Sequence, residues 1–336
     1  MDYTVIWFIL IVVLFTGFFF LEGFDYGVGT LMPFISKRDD ERTAIIRTIG
    51  PVWDGNEVWM ITAGGALFAA FPHVYATMFS AFYLALFLML VALILRGVAF
   101  EFRAHTPCAC GRQAWDAAIC FGSAVPAFLW GVAVTDLLAG LPIGANMAYQ
   151  GTFFDLLTPY SVLGGLTFLF VFGYHGAAFL TLRLKDAGLI LRVQSLGLRM
   201  AACGTFAFVL WAVYTYQATT LFQSPLAAVL LAGAGLFFVM SGLSFSIAKG
   251  KASFMLTSLS IVCTTVAVFA GLFPRLMVSS LNPAWSLTIA NASSSPYTLS
   301  IMTVAALVLV PIVLIYQGWC WYIFRKRVGI GDEEKH

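Results

Sequence analysis

Charge is scarce in this sequence. Charged side chains make up 10 % of its 336 residues, with 18 Lys+Arg set against 16 Asp+Glu for a formal net charge of +2. A soluble domain carries about 25 % charged residues, so a water-soluble globule is excluded. A disordered chain is excluded as well, since disorder needs high net charge and few apolar residues. No basic block exists that could neutralise phosphates, which removes a nucleic-acid binder. The six cysteines (Cys108, Cys110, Cys120, Cys203, Cys263 and Cys320) are scattered and do not read as a disulfide framework. His105, Cys108 and Cys110 offer three ligands but no fourth at metal-finger spacing, so that stretch reads as a loop with incidental thiols. A phosphate-binding glycine loop, a nucleophile elbow and a catalytic triad are missing too. What remains is apolar: 61 % hydrophobic and 16 % aromatic. The chain belongs in a bilayer.

A helix crossing ~30 Å of hydrocarbon needs about 20 mostly apolar residues. Windows of that length predict nine spans, at 4–34, 49–71, 74–98, 115–138, 160–182, 195–220, 226–247, 253–277 and 298–324. The second is the weakest, because it opens on Trp53, Asp54, Gly55, Asn56 and Glu57 and contains Gly64 and Gly65. Dropping it leaves eight, and the basic residues decide between the two counts. With nine spans and the N-terminus outside, every Lys and Arg except Arg275 falls in or beside a cytoplasmic segment, from Lys37, Arg38, Arg42 and Arg47 in the first loop to Arg325, Lys326, Arg327 and Lys335 in the tail. Arg96, Arg103 and Arg112 are assigned to the second such segment. The positive-inside rule therefore favours nine spans, N-out and C-in. The first span reads as a retained helix and not a cleaved signal, since it lacks a basic start and a small-x-small site. The expected fold is an all-α integral membrane protein of two four-helix bundles, 1–140 and 141–280, followed by a peripheral ninth helix and cytoplasmic tail, 281–336. Gly23-Phe24-Asp25-Tyr26-Gly27 faintly echoes Gly173-Tyr174-His175-Gly176, as paired bundles would.

Ionisable groups inside hydrocarbon carry the functional information, since each costs about 2.5–3.5 kcal/mol at mid-helix. Glu22 and Asp25 stand three apart on one face of span 1. Asp25 lies roughly 31 Å from the start of the span at ~1.5 Å per residue, in its inner third. Asp54 and Glu57 repeat the spacing at the inner end of span 2, and Arg96 and Glu101 close span 3 at the same end. Such carboxyls in a low dielectric are candidates for proton exchange near neutral pH, which reads as a proton-entry path from the cytoplasm. Blander readings stand beside it. Asp54-x-x-Glu57 also fits a capping box with Asp54 as N-cap, and Arg96 with Glu101 fits a solvated interfacial pair. Of His73, His105, His175 and His336, His175 alone lies well inside a span. It reads as a satisfied polar residue and not as half of a haem-holding pair.

Three stretches resemble a known family. Gly23-Phe24-Asp25-Tyr26-Gly27-Val28-Gly29 and Trp53-Asp54-Gly55-Asn56-Glu57-Val58-Trp59, the latter running into Ile61-Thr62-Ala63-Gly64-Gly65-Ala66-Leu67-Phe68-Ala69-Ala70, are similar to subunit II of the cytochrome bd quinol oxidases. So are Ser286-Leu287-Thr288 with Ala292-Ser293-Ser294-Ser295, and Val310-Pro311-Ile312-Val313-Leu314. The likeness covers nearly the whole chain and leans toward the cyanide-insensitive branch.

The resemblance implies two four-helix bundles plus a ninth helix, in agreement with the charge count. It implies a haem-bearing partner, subunit I, with two b-type haems, one d-type haem and the quinol site, and leaves room for a small single-span subunit and for a quinone held in this chain. It implies quinol oxidation with reduction of oxygen to water in a bacterial inner membrane, protons being taken from the cytoplasm. By position, Asp25 and Asp54 resemble members of a proton path, joined by Glu101, while Glu22 and Glu57 stand where relatives carry other residues. Trp59 resembles a residue beside an apolar oxygen route, and reads equally as an interfacial aromatic. A proton-coupled secondary transporter is the rival class. It should place broken helices and polar groups at the midplane, whereas these acids crowd one end. A purely structural anchor, the third class, would tolerate loss of Asp25 and Asp54.

Overall fold

The computed structural model describes residues 2–331; Lys335 and His336 lie outside the described residues. Among the described residues, eight helices are long and apolar enough to cross a membrane: α1 (Tyr3–Ile35), α5 (Tyr83–His105), α6 (Ala109–Ala139), α7 (Pro159–Arg183), α8 (Ala187–Ala218), α9 (Pro225–Ser246), α10 (Gly250–Leu272) and α11 (Pro296–Ile323). Three shorter helices complete the set, α2 (Asp39–Ile49), α3 (Trp53–Ala70) and α4 (Pro72–Ala81). Helix starts follow local chemistry. The Asp2 carboxylate accepts from the Thr4 amide at 3.0 Å, Asp186 caps α8, and Ser224 and Ser295, each followed by proline, open α9 and α11.

α1 is the axis of the molecule, packed by α3, α6, α7 and α10. At its crossing with α7 the backbones touch. A Cβ on Gly27 would fall on the backbone of Phe172 and Gly176, and one on Gly176 would fall on Gly27 and Val28, an approach that only glycine permits. The two glycine segments that echo one another in sequence therefore meet here. Aromatic rings fill the spaces around the crossing, with Trp130 edge-on to Phe15, Phe18 and Phe19, and Phe24 stacked on Phe179 and edge-on to Phe254 and Trp321.

The weak second span is α3, whose 18 residues cover about 27 Å at ~1.5 Å each. It runs antiparallel to α1, with Asn56 at the level of Asp25 and the Trp59 ring on Gly17. Its far end is bound by Ser294, whose amide donates to Ala70 O and whose hydroxyl donates to Ala69 O. The third span differs from expectation: 74–98 is not one helix but α4 and α5, broken at Phe82 (φ −93°, ψ 17°). α5 runs on to His105, so the loop expected after it shrinks to 106–108, where the Cys108 sulfur accepts from the Gly111 amide at 3.3 Å.

At the end that carries Asp2, the two long loops lock together. β1 (Arg275–Met277) pairs antiparallel with β2 (Leu287–Thr288), and Leu141 bridges to Ser279. At the opposite end lies α2, and there Val328 pairs with Leu184, folding the tail onto the α7–α8 turn. α11 lies outermost, with Leu299 its one buried residue. Trp7 holds it near one end, its indole N–H shared between Leu299 O (3.2 Å) and the Thr303 hydroxyl (3.0 Å).

Candidate functional site

Near the α2 end, α1 turns Glu22 and Asp25 toward its neighbours, and both are fully buried. α5 supplies Arg96, also fully buried, which forms an ion pair with Glu22. The guanidinium lies 4.9 Å from the Tyr26 ring centroid and 5.5 Å from that of Phe100, so aromatic faces cover what the carboxylate does not. This overturns the reading of Arg96 as a solvated interfacial partner of Glu101. The helix continues two turns beyond Arg96, so the guanidinium sits inside the bundle while Glu101 is exposed.

Asp25 is held differently. Its Oδ2 accepts from the Asn56 side-chain amide at 2.6 Å; Asn56 Oδ1 accepts from Gln317 at 3.0 Å; Gln317 Oε1 accepts from the Trp59 indole at 2.9 Å. Three helices, α1, α3 and α11, thus join in one chain of hydrogen bonds ending on a carboxyl. Glu22 Oε2, Asp25 Oδ1, the Tyr26 hydroxyl, and Arg96 Nε and Nη2 have no protein hydrogen-bond partner. Buried polar atoms of this kind are where ordered water bridges neighbouring groups.

The expected carboxyls are only partly brought together. Glu57 is partly buried and within electrostatic range of Arg96 and Glu22. Asp54 and Glu101 are exposed at the same end, outside the buried cluster. The capping-box reading of Asp54 fails, because the N-cap of α3 is Val52 and makes no side-chain cap. The Trp59 ring packs on α1 and its N–H is bound to Gln317. An apolar void of about 70 Å³ lined by Phe15, Leu67, Phe82, Met89, Trp130 and Phe269, among others, does not include it.

Sequence reading missed Gln317, although one amide within the apolar run 298–324 is itself a signal. It also missed a second ionic group at the α2 end. Arg103 pairs with Asp116 (2.5 Å) and Asp39 (2.6 Å), Arg42 with Asp116 (3.0 Å), Arg112 with Asp39 (3.2 Å), and Arg192 with Glu41 (2.6 Å). These pairs fasten α2 to α5, α6 and α8.

His175, the one histidine well inside a span, is not placed to ligate a haem. His175 is fully buried, with Nε2 3.2 Å from Phe20 O and its ring stacked on Phe254 at 4.7 Å and 4°. Its full burial leaves no space for a macrocycle beside either ring nitrogen. Among the described residues no group of three or more His, Cys, Asp or Glu is placed to hold a metal.

Residues 3–324 match the family model described as cytochrome bd terminal oxidase subunit II. The chain is 42 % identical over 334 residues to the cytochrome bd ubiquinol oxidase subunit 2 of Bacillus subtilis (strain 168), with 96 % of each chain covered. It is 35 % identical over 373 aligned positions to the cytochrome bd-I ubiquinol oxidase subunit 2 of Escherichia coli (strain K12), covering 100 % of this chain and 98 % of that one. The solved bd oxidase from Geobacillus thermodenitrificans shares the fold, with a TM-score of 0.75 at 18 % identity over 96 % of this chain and 99 % of that one.

Proposed function

The chain belongs to the cytochrome bd terminal oxidase subunit II family, and from that premise we propose that it is the haem-free subunit that conducts cytoplasmic protons toward a haem-bearing subunit I and stabilises it. As a family member it is a subunit of an oxidoreductase complex, a quinol oxidase in a bacterial membrane, and the complex holds haems and uses quinol. The finer reading adds nine spans, N-out and C-in, in the inner membrane. Units 1–140 and 141–280 form the two bundles, and 281–336 forms the ninth helix with its tail. b- and d-type haems then reside on the partner, where quinol electrons reduce oxygen to water. A small single-span subunit and membrane lipids are its other neighbours.

One observation carries the proton reading: two fully buried carboxyls, Glu22 and Asp25, lie together with one buried guanidinium and a set of polar atoms lacking protein partners. Three carboxyls (Glu22, Asp25, Glu57) face a single arginine, so proton occupancy sets the charge of the cluster. Asp54 and Glu101, exposed at the α2 end, are placed to collect protons from water and pass them inward. Glu22 and Arg96 then hold the local field while Asp25 exchanges. Trp59, bound to Gln317, orders this region, and its place beside an apolar oxygen route is the second reading of the same residue.

Asp25→Asn and Asp54→Asn are expected to slow quinol-dependent oxygen consumption by roughly tenfold or more, the ordinary loss on removing a proton-transfer group. The visible haem spectrum of the purified complex should stay normal. Unchanged turnover would sink the proton path. Isolation of a colourless solitary chain that moves solute into liposomes would favour a secondary transporter instead.

A further inference from the structure

Gln317 is a polar side chain on the outermost helix, flanked by exposed residues. The simplest account of it is a clamp between α11 and α3. The direction of its hydrogen bonds says more. An indole N–H can only donate, so Trp59 fixes which end of the Gln317 amide faces it: the carbonyl, at 2.9 Å. The Gln317 N–H2 must then face Asn56, where Oδ1 accepts it at 3.0 Å. That in turn leaves only the Asn56 N–H2 to face Asp25, at 2.6 Å. A primary amide that is free to turn over presents either its donor or its acceptor. The acceptor would put a carbonyl oxygen against a carboxylate oxygen and leave Asp25 Oδ2 without a partner. Every link runs one way, from a donor-only group to an acceptor. Chains so aligned strengthen each bond within them.

We infer that Gln317 is a positioning residue for Asp25: it locks the Asn56 amide with its N–H2 toward the carboxyl, and Trp59 sets the polarity of the whole relay. The peripheral helix thereby takes part in the chemistry of the first bundle. This inference rests on Asp25 being a proton carrier, and the experiment separates the two claims.

The test uses the intact complex with its haem subunit. In Gln317→Leu, kcat for quinol-dependent oxygen uptake should fall about three- to tenfold, the rate equivalent of one neutral hydrogen bond, with KM for quinol unchanged. The infrared carbonyl band of Asp25, identified by its loss in Asp25→Asn, should shift. If that complex does not assemble, judged by its haem spectrum, Gln317→Met keeps the side-chain length and takes its place. Trp7→Phe removes the other polar tether of α11 without touching the relay, and should leave kcat and the Asp25 band as in the wild type. An unshifted Asp25 band in the Gln317 variants overturns the inference, and so does an equal loss of kcat in Trp7→Phe. Normal turnover in Asp25→Asn would instead refute the proton path, and the band shift alone would then decide whether Gln317 orients Asp25.

Discussion

Glu22 and Arg96 pair with both side chains fully out of solvent, and removing either partner strands the other. The two losses are not equivalent. Arg96 faces Glu22, Asp25, Glu57 and the Tyr26 ring together, so Arg96→Leu leaves three carboxyls without a counter-charge. Glu22→Gln leaves the guanidinium with Asp25 and Glu57 still in range. Arg96→Leu is therefore expected to destabilise by about 3–5 kcal/mol, the usual consequence of breaking a buried pair, and Glu22→Gln by clearly less. Thermal melting of the complex, followed through haem absorbance, checks the order; equal melting temperatures would refute it. Glu22 and Asp25 were legible in sequence because a charge in hydrocarbon is costly wherever the helix faces. Arg96 was misread because its depth depends on where α5 ends. The helix runs on through Gly97, Glu101 and Arg103 to His105, and a lone glycine with no proline does not stop it at the membrane edge. Asn56 lay inside the most distinctive motif, yet its partner on α11 is 261 positions away, and no local pattern joins them.

At the scale of elements, α2 is the piece whose attachment depends on pH. Its first turn carries Asp39, Asp40 and Glu41, which suit a helix N-terminus. Burial alone would raise Glu41, but its bond with Arg192 and the backbone N–H groups of Lys37 and Arg38 hold its carboxyl below the usual carboxylate range. A carboxyl depressed in the folded state stabilises fully above its unfolded value of about 4.3, and that contribution is lost as pH falls through the lower folded value. α2 amides should thus stay protected from hydrogen exchange at neutral pH and lose protection on acidification below about 4.3. Arg192→Leu should weaken protection already at neutral pH, and move the acid loss upward toward ordinary carboxylate behaviour. Exchange measured on the complex across that range tests both. Identical profiles for wild type and variant would count against the Glu41–Arg192 link. Sequence indicated α2 only as the basic first loop. Its acidic start marks a helix, but the partners that dock it, Arg103, Asp116 and Arg192, come from three later helices. The α4–α5 break was hidden for a similar reason, since Phe82 is neither a proline nor a glycine.

For the whole molecule, span parity and orientation turn on α3. If α3 crosses, the loop holding α2 and the α5–α6 turn share a side. If it does not, they face opposite sides, because an even number of spans no longer separates them. The ion pairs of Arg42 with Asp116 and of Arg103 with Asp39 reach directly from α2 to the helices on either side of that turn, which supports a crossing α3. The binding of its last carbonyls by Ser294, at the opposite end of α11 from Gln317, supports it as well. Composition undervalued this helix because Asp54, Asn56 and Glu57 lower its apolar character, and those are the residues nearest the buried cluster. Its weakness as a hydrophobic span and its place beside the cluster thus have one cause. The test uses Cys108, exposed in the α5–α6 turn, as an internal reference. With Cys110 replaced by serine, a second thiol is introduced by Lys37→Cys, at an exposed position just ahead of α2. With nine spans and the N-terminus outside, a membrane-impermeant maleimide should label both thiols in inverted vesicles and neither in right-side-out vesicles. Labelling of Cys108 in inverted vesicles and of position 37 only in right-side-out vesicles would establish eight spans and place α2 away from the cytoplasm, and Asp54 could then no longer collect cytoplasmic protons. Labelling of both from the outer side would keep nine spans but reverse the direction in which the carboxyl cluster takes up its protons.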